Sequence, residues 1–233
     1  MRQIIALGGG GFSMEPENPA LDRYILDQAG RSNPAVCFLP TASGDADGYV
    51  VKFYAAFSVL DCRPCHLSMF GRTPADLGAF LLEQDVIYVG GGNTRSMLAV
   101  WREWGLDVAL RAAWEQGVVL AGLSAGAICW FEQGVTDSVA GRLGPLAALG
   151  LLEGSCCPHY DGEAERRPAY QQLVAEGQIA PGYGLDDGAA LHFAGTELRA
   201  VVASRPKARA YRVAPSAGGF QEQALESMVL DST

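Results

Sequence analysis

The sequence predicts an α/β protein: a mostly parallel sheet with helices on both faces. Short, continuous apolar runs rich in β-branched residues recur through the first half, as they do in strands buried on both faces. Stretches of helical periodicity lie between them, and strand–helix alternation implies parallel neighbours joined by right-handed crossovers. Glycine clusters at Gly8 to Gly11 and Gly90 to Gly92 directly follow two of the runs. That is where such sheets bind ligands, beyond the carboxyl ends of the strands.

Taken in order, the buried-strand runs are Gln3–Leu7, Ala35–Leu39, Arg63–Leu67, Val86–Val89 and Val118–Ala121. Helices are expected from near Asn18, with Pro19 suited to the first helical position, and at Tyr49–Leu60, Pro74–Glu83, Asn93–Glu103 and Leu106–Glu115. The second half is less regular. It predicts a helix at Ala164–Glu176 and short strands near Tyr183–Leu185, Ala189–Phe193, Arg199–Val202 and Ala210–Val213, read as an antiparallel extension of the same sheet. No linker, repeat or low-complexity tract interrupts the chain, so its 233 residues are expected to form one domain, 1–233.

Composition narrows the function classes. With 49% hydrophobic and 18% charged residues the chain is too apolar for disorder, and no apolar run is long enough to cross a bilayer. Seventeen basic against 26 acidic residues leave a net charge of −9, which repels nucleic-acid phosphates and anionic lipid. Neither nucleic acid nor membrane is expected as a partner. The N-terminus shows no signal-peptide pattern, so a cytoplasmic location and six reduced cysteines are expected.

The sharpest motif is Gly122-Leu123-Ser124-Ala125-Gly126, between the Val118–Ala121 run and the helical-looking Ala127–Phe131. G-x-S-x-G between strand and helix is the nucleophile elbow, in which a strained turn exposes the serine hydroxyl above the sheet. The bland alternative is a glycine-rich turn with serine as helix cap. A serine nucleophile needs a base, and there are three histidines: His66, His159 and His192. His159, in Cys157-Pro158-His159-Tyr160, lies where a loop could carry imidazole over the elbow. His66 and His192 fall within expected strands and read as packing residues. Lys52 and Lys207, the only lysines, are not expected beside the elbow.

Val89-Gly90-Gly91-Gly92-Asn93-Thr94 also leads a strand into a helix, and its backbone N–H groups suit an anion or a developing oxyanion. A tight turn capped by Asn93 is the bland alternative. The Gly8–Gly11 run lacks the third glycine of a dinucleotide fingerprint, since position 13 is Ser13, and no ribose-binding acid follows. Cys62-Arg63-Pro64-Cys65-His66 matches C-x-x-C-H in letters only, because the cysteines straddle the start of an expected strand. No cofactor and no metal are implied.

Val-Gly-Gly-Gly-Asn-Thr at 89–94, Gly-Leu-Ser-Ala-Gly-Ala at 122–127, Pro-His-Tyr at 158–160 and Leu-Asp-Asp-Gly at 185–188 together resemble the peptidase E (aspartyl dipeptidase) family, relatives of cyanophycinase. The resemblance runs from the first strand to about residue 205. It implies a three-layer α/β/α fold like that of class I glutamine amidotransferases, and a serine exopeptidase acting on dipeptides with N-terminal aspartate. Residue by residue it implies Ser124 as nucleophile, His159 as base, and the N–H groups of Gly92 and Ala125 as oxyanion hole. It also implies Asn93 and Arg166 at the substrate, with Arg167 an alternative to Arg166. The family's third triad member, a glutamate, falls on Asp187, one methylene shorter, so Asp161 and Asp137 stay open as alternatives. A homodimer also stays open. The rival reading is a non-catalytic protein of this shape that binds a small acidic metabolite.

Overall fold

The computed structural model describes residues 1–231. The first half alternates as expected: β1 (Gln3–Leu7), α1 (Gly11–Met14), α2 (Ala20–Asp27), β2 (Ala35–Leu39), a 3-10 turn at Thr41–Ser43, α3 (Asp47–Phe57), β3 (Arg63–His66), α4 (Leu77–Leu82), β4 (Val86–Val89), α5 (Thr94–Trp104), α6 (Leu106–Glu115), β5 (Val119–Leu123) and α7 (Ala125–Ile128). Then follow β6 (Phe131–Thr136), β7 (Gly144–Ala147), β8 (Leu152–Cys157), α8 (Arg166–Ala175), β9 (Gly182–Leu185), β10 (Ala189–Ala194), β11 (Glu197–Ala203), β12 (Ala210–Ser216), β13 (Gly219–Ala224) and β14 (Met228–Val229).

All five early strands join one eight-stranded sheet, ordered β14-β11-β10-β1-β5-β4-β2-β3. β1, β5, β4, β2 and β3 run parallel, and β10 pairs antiparallel with β1. Successive side chains point to opposite faces, which explains the continuous apolar runs: each face is covered. Ile5, Leu7, Val36, Phe38 and Tyr88 pack beneath α1 to α3, whose Phe12, Leu21, Ile25, Phe53 and Phe57 are buried there. Ile4, Ala6, Cys37, Ile87, Val89 and Leu120 pack on the other side against Leu81, Trp101, Leu110 and Trp114 of α4 to α6. The three-layer α/β/α arrangement follows. β3, which carries Pro64, is an edge strand, where a residue without an N–H costs no ladder bond.

The second half departs from expectation. Only β10 and β11 extend the first sheet antiparallel. β9 and β12 belong instead to a second, six-stranded sheet ordered β13-β12-β9-β8-β6-β7. β6 and β8 were missed because Phe131-Glu-Gln-Gly and Leu152-Glu-Gly-Ser carry polar and glycine positions that break any apolar run. α8 covers this sheet with Tyr170 and Val174 against Val135, Cys157 and Val213. The helix expected through Phe131 is a single turn ending at Ile128, since the chain must reverse into β6. Pro19 stands at the N-cap of α2 rather than inside it.

Candidate active site

β1 and β5 lie side by side at the centre of the large sheet, with Leu7 opposite Leu123, so the loops after both strands meet. Ser124 follows β5 directly, at φ 56° and ψ −113°, in a region L-residues avoid. Its backbone carbonyl accepts the first bonds of α7, from Ala127 at 2.9 Å and Ile128 at 3.0 Å, while its side chain makes no capping bond. The helix-cap alternative therefore fails: the hydroxyl is held out by backbone geometry. Both motif glycines are needed for close packing. A Cβ on Gly122 would strike the backbone of Gly126, and one on Gly126 the carbonyl of Val89.

His159 also takes a positive φ, 53°. Its N–H donates to the carbonyl of Gly8 at 3.1 Å, tying the loop after β8 to the end of β1. Nδ1 lies 2.6 Å from Asp187 Oδ1; a carboxylate only accepts, so Nδ1 carries the proton and Nε2 is left as the basic nitrogen. Of the three candidate acids, Asp187 makes this bond. Asp161 Oδ1 instead accepts the backbone N–H of Asp187 at 2.8 Å, and Asp137 faces Arg166. Arg205 donates to the Asp187 carbonyl. The neighbouring Asp186 points away, accepting Arg209 N–H at 3.0 Å, and burial pushes its carboxyl up to about 6.

The Gly8–Gly11 run receives its explanation here. A Cβ on Gly9 would collide with Asp187 Oδ1 and crowd His159 Cε1, and one on Gly162 would collide with Asp187 Oδ2. These two glycines leave a slot for the carboxylate. Nothing in a local motif announces such a role, although the position of the run beside the elbow strand is legible once β1 and β5 are recognised as neighbours.

A cavity of about 450 Å³ opens over the elbow, lined by Ser13, Met14, Gly48, Tyr49, Lys52, Gly91, Gly92, Leu123, Ser124 and His159. Ser124 is half-buried in its wall and reachable by a ligand, and no direct hydrogen bond joins it to His159. Gly91 sits against the serine: a Cβ there would lie 3.2 Å from Ser124 Cβ. Gly90 N–H donates to Leu39, Gly91 N–H to the Tyr49 hydroxyl at 3.2 Å and Asn93 N–H to Ala42 at 2.7 Å. Among the described residues Gly92 N–H takes no acceptor, and Ala125 N–H, in the first turn of α7, has no intrahelical carbonyl to bond. Lys52 is a correction to expectation: α3 carries it to this cavity.

Other expected site residues lie elsewhere. Asn93 caps α5, accepting Ser96 N–H at 2.9 Å and donating to the Ser138 carbonyl at 3.2 Å. Arg166 is buried away from the cavity lining; it donates to Glu163 at 2.6 Å and the Val135 carbonyl at 3.0 Å, and pairs with Asp137 at 3.3 Å. Arg167 pairs with Glu222 and lies over the rings of Tyr160 and Tyr211. His66 bonds Tyr54 at 2.9 Å on β3. His192 is fully buried between Tyr24 and Gln3. The cysteines are free, with Cys37, Cys129, Cys156 and Cys157 buried. Among the described residues no group of three His, Cys, Asp or Glu side chains is arranged to hold a metal ion. None of their helices is long and apolar enough to cross a membrane.

The same fold occurs in the crystal structure of a peptidase from an acI-B1 Actinobacterium (17% identity, TM-score 0.71, covering 99% of this chain and 96% of that one). It also occurs in a putative peptidase E protein from Listeria monocytogenes EGD-e (21% identity, TM-score 0.63, covering 97% and 100%). The architecture is thus the class I glutamine amidotransferase-like one. In sequence the chain is 62% identical over 213 residues to an uncharacterized peptidase, YgaJ, of Bacillus subtilis (strain 168), spanning 91% of this chain and 92% of the relative. Residues 4–201 match the model of peptidase family S51, and a match over that much of the chain makes this protein a member of that family.

Proposed function

We propose that this protein is a serine dipeptidase that hydrolyses peptides with N-terminal aspartate through Ser124, His159 and Asp187. The observation that carries the reading is the shared cavity: a strained, reachable Ser124 and a His159 held by Asp187 line one wall of it. In the mechanism, Ser124 Oγ attacks the peptide carbonyl carbon while its proton passes to His159 Nε2. The oxygen that becomes negative is met by the N–H groups of Gly92 and Ala125, donors worth about 3–4 kcal/mol each in comparable sites. The C–N bond then breaks, His159 returns the proton to the leaving amine, and water repeats the sequence on the acyl-enzyme. Asp187 keeps the proton on Nδ1 and steadies the imidazolium.

Cavity volume supports a small substrate, since about 450 Å³ suits a dipeptide-sized ligand. The preference for aspartate rests on the family resemblance. A purely binding role gives no use to the His159–Asp187 pair, which leaves a basic Nε2 in the same cavity as Ser124. A dipeptide panel assayed with wild type and Ser124→Ala tests the reading. Ser124→Ala is expected to lower turnover by about 10³-fold or more with the fold intact. Undiminished turnover in purified Ser124→Ala, or no cleavage of any peptide by wild type, would overturn it.

A further inference from the structure

We propose that Lys52 is the group with which this cavity grips a carboxylate of its peptide ligand. This deepens the dipeptidase reading and rests on it for the identity of the ligand. Gly48, Tyr49 and Lys52 stand at i, i+1 and i+4 of α3 and all three line the cavity; Tyr49 continues the buried Phe53 and Phe57 stripe, while Lys52 is exposed. Gly48 has open space where a Cβ would be, so the rim beside Lys52 is clear. Lys52 Nζ donates to the Ser13 carbonyl at 3.2 Å, bridging from α3 to α1 across the mouth of the site. An ammonium has three N–H donors, so two remain for a ligand.

Among the described residues that line the cavity, His159 is the only other one able to carry a positive charge, and none is an acid that would neutralise Lys52. The alternative cations are committed. Arg166 is buried with Glu163, Asp137 and the Val135 carbonyl, Arg167 is held by Glu222, and Arg205 by Glu15 and the Asp187 carbonyl. On a chain of net charge −9, a lone cation beside the candidate nucleophile favours an anionic ligand there. In a dipeptide such as Asp-Leu that anion is the aspartyl side chain or the C-terminal carboxylate.

The test measures binding by calorimetry in the Ser124→Ala background, so that it is independent of turnover, with Asp-Leu, Asn-Leu, Asp-Leu amide and Asn-Leu amide. Lys52→Met keeps the stem and removes the charge. It is expected to weaken Asp-Leu binding about three- to tenfold, less at high salt, with Lys52→Arg restoring most of it. A loss for both aspartyl peptides but neither asparaginyl one assigns the side-chain carboxylate. A loss for both free acids but neither amide assigns the C-terminus. An equal change in all four peptides, no change in any, or no binding to the Ser124→Ala protein would overturn the proposal. Wild-type turnover is scored separately: charge-selective binding without hydrolysis refutes the peptidase reading and keeps Lys52, and hydrolysis without Lys52 dependence does the reverse.

Discussion

Gly9 and Asp187 share one space: the hydrogen on Gly9 faces the Asp187 oxygen that binds His159, and a methyl group there could not coexist with it. Gly9→Ala is therefore expected to push the carboxylate off His159. The carboxylate is the movable end of a side chain, so the displacement is cheap for the fold and costly for the imidazole's orientation. Turnover should fall about 10²-fold, while Tm moves by only about 4 °C or less. Peptide kinetics and thermal melts on the same sample check this; an active Gly9→Ala enzyme would show that the His159–Asp187 bond is dispensable.

Asp187→Asn should lower kcat by up to about 10⁴, because the amide favours the wrong imidazole tautomer. Asp161 touches the backbone of Asp187 rather than His159, at 2.8 Å. Asp161→Asn retains an accepting oxygen and should be nearly silent, whereas Asp161→Ala frees the loop and should cost about tenfold. An Asp161→Asn enzyme as impaired as Asp187→Asn would move the acid's role to Asp161.

Arg166 is expected to matter for stability first. Its guanidinium is 3% exposed and joins α8 to β6 through the Val135 carbonyl. Arg166→Met should cost about 2–3 kcal/mol, read from denaturant midpoints, because that carbonyl and Glu163 lose a charged partner. The ratio of Asp-Leu to Asn-Leu turnover should stay as in wild type. A changed ratio at unchanged stability would return Arg166 to the substrate.

Two buried groups give opposite pH signatures. Burial pushes the Asp22 carboxyl on α2 up to about 7 from 3.8, partly offset by the nearby Tyr88 hydroxyl and Phe12 N–H. The folded state thus holds a proton the unfolded state has lost, and Asp22's contribution falls as pH rises from about 4 to 7. Burial pushes His192 down to about 4 from 6.5, aided by Arg199, so its contribution is full above 6.5 and falls as pH drops towards 4. Gln3 Nε2 donates to the Gln28 carbonyl, leaving Oε1 to accept from His192 Nε2–H while Nδ1 accepts from Tyr24; the neutral ring is fully satisfied. The stability difference between wild type and Asp22→Asn should therefore shrink from pH 4 to 7, and that between wild type and His192→Gln should grow. Slopes of the same sign would refute the assignment.

How much of this was legible in the sequence depended on range. β1, β2, β4 and β5 announced themselves because each is covered on both faces and so is buried at every position, a property of four or five consecutive residues, whereas the edge strand β3, Arg63-Pro64-Cys65-His66, is only partly buried. Ser124 was legible for the same reason, since the elbow's crowding is relieved by glycines two residues away on either side. His159 emerged from the scarcity of histidine. Between Asp187, Asp161 and Asp137 the sequence could not decide. Reach to Nδ1 is set by β1, β8 and β9 converging, and by Gly9 and Gly162, which lie 178 and 25 positions away in the chain.

The same limit hid the second sheet, Lys52 and the true surroundings of Arg166. β6 and β8 are each exposed at their second position and only half-buried at their third, so their own residues need not be apolar throughout. Lys52 shares the elbow's cavity because α3 packs Tyr49 on Phe38 of β2 and against Gly91 of the loop after β4, a proximity with no local signature. Arg166 stands beside the expected motif in sequence, but the turn into α8 directs it inwards to Glu163 and Val135. Local periodicity and turn chemistry thus determined the strand–helix framework and named the nucleophile. Which acid, which cation and which carbonyl each charged group meets was decided only by packing, because those contacts join segments whose separation in sequence carries no information about distance in space.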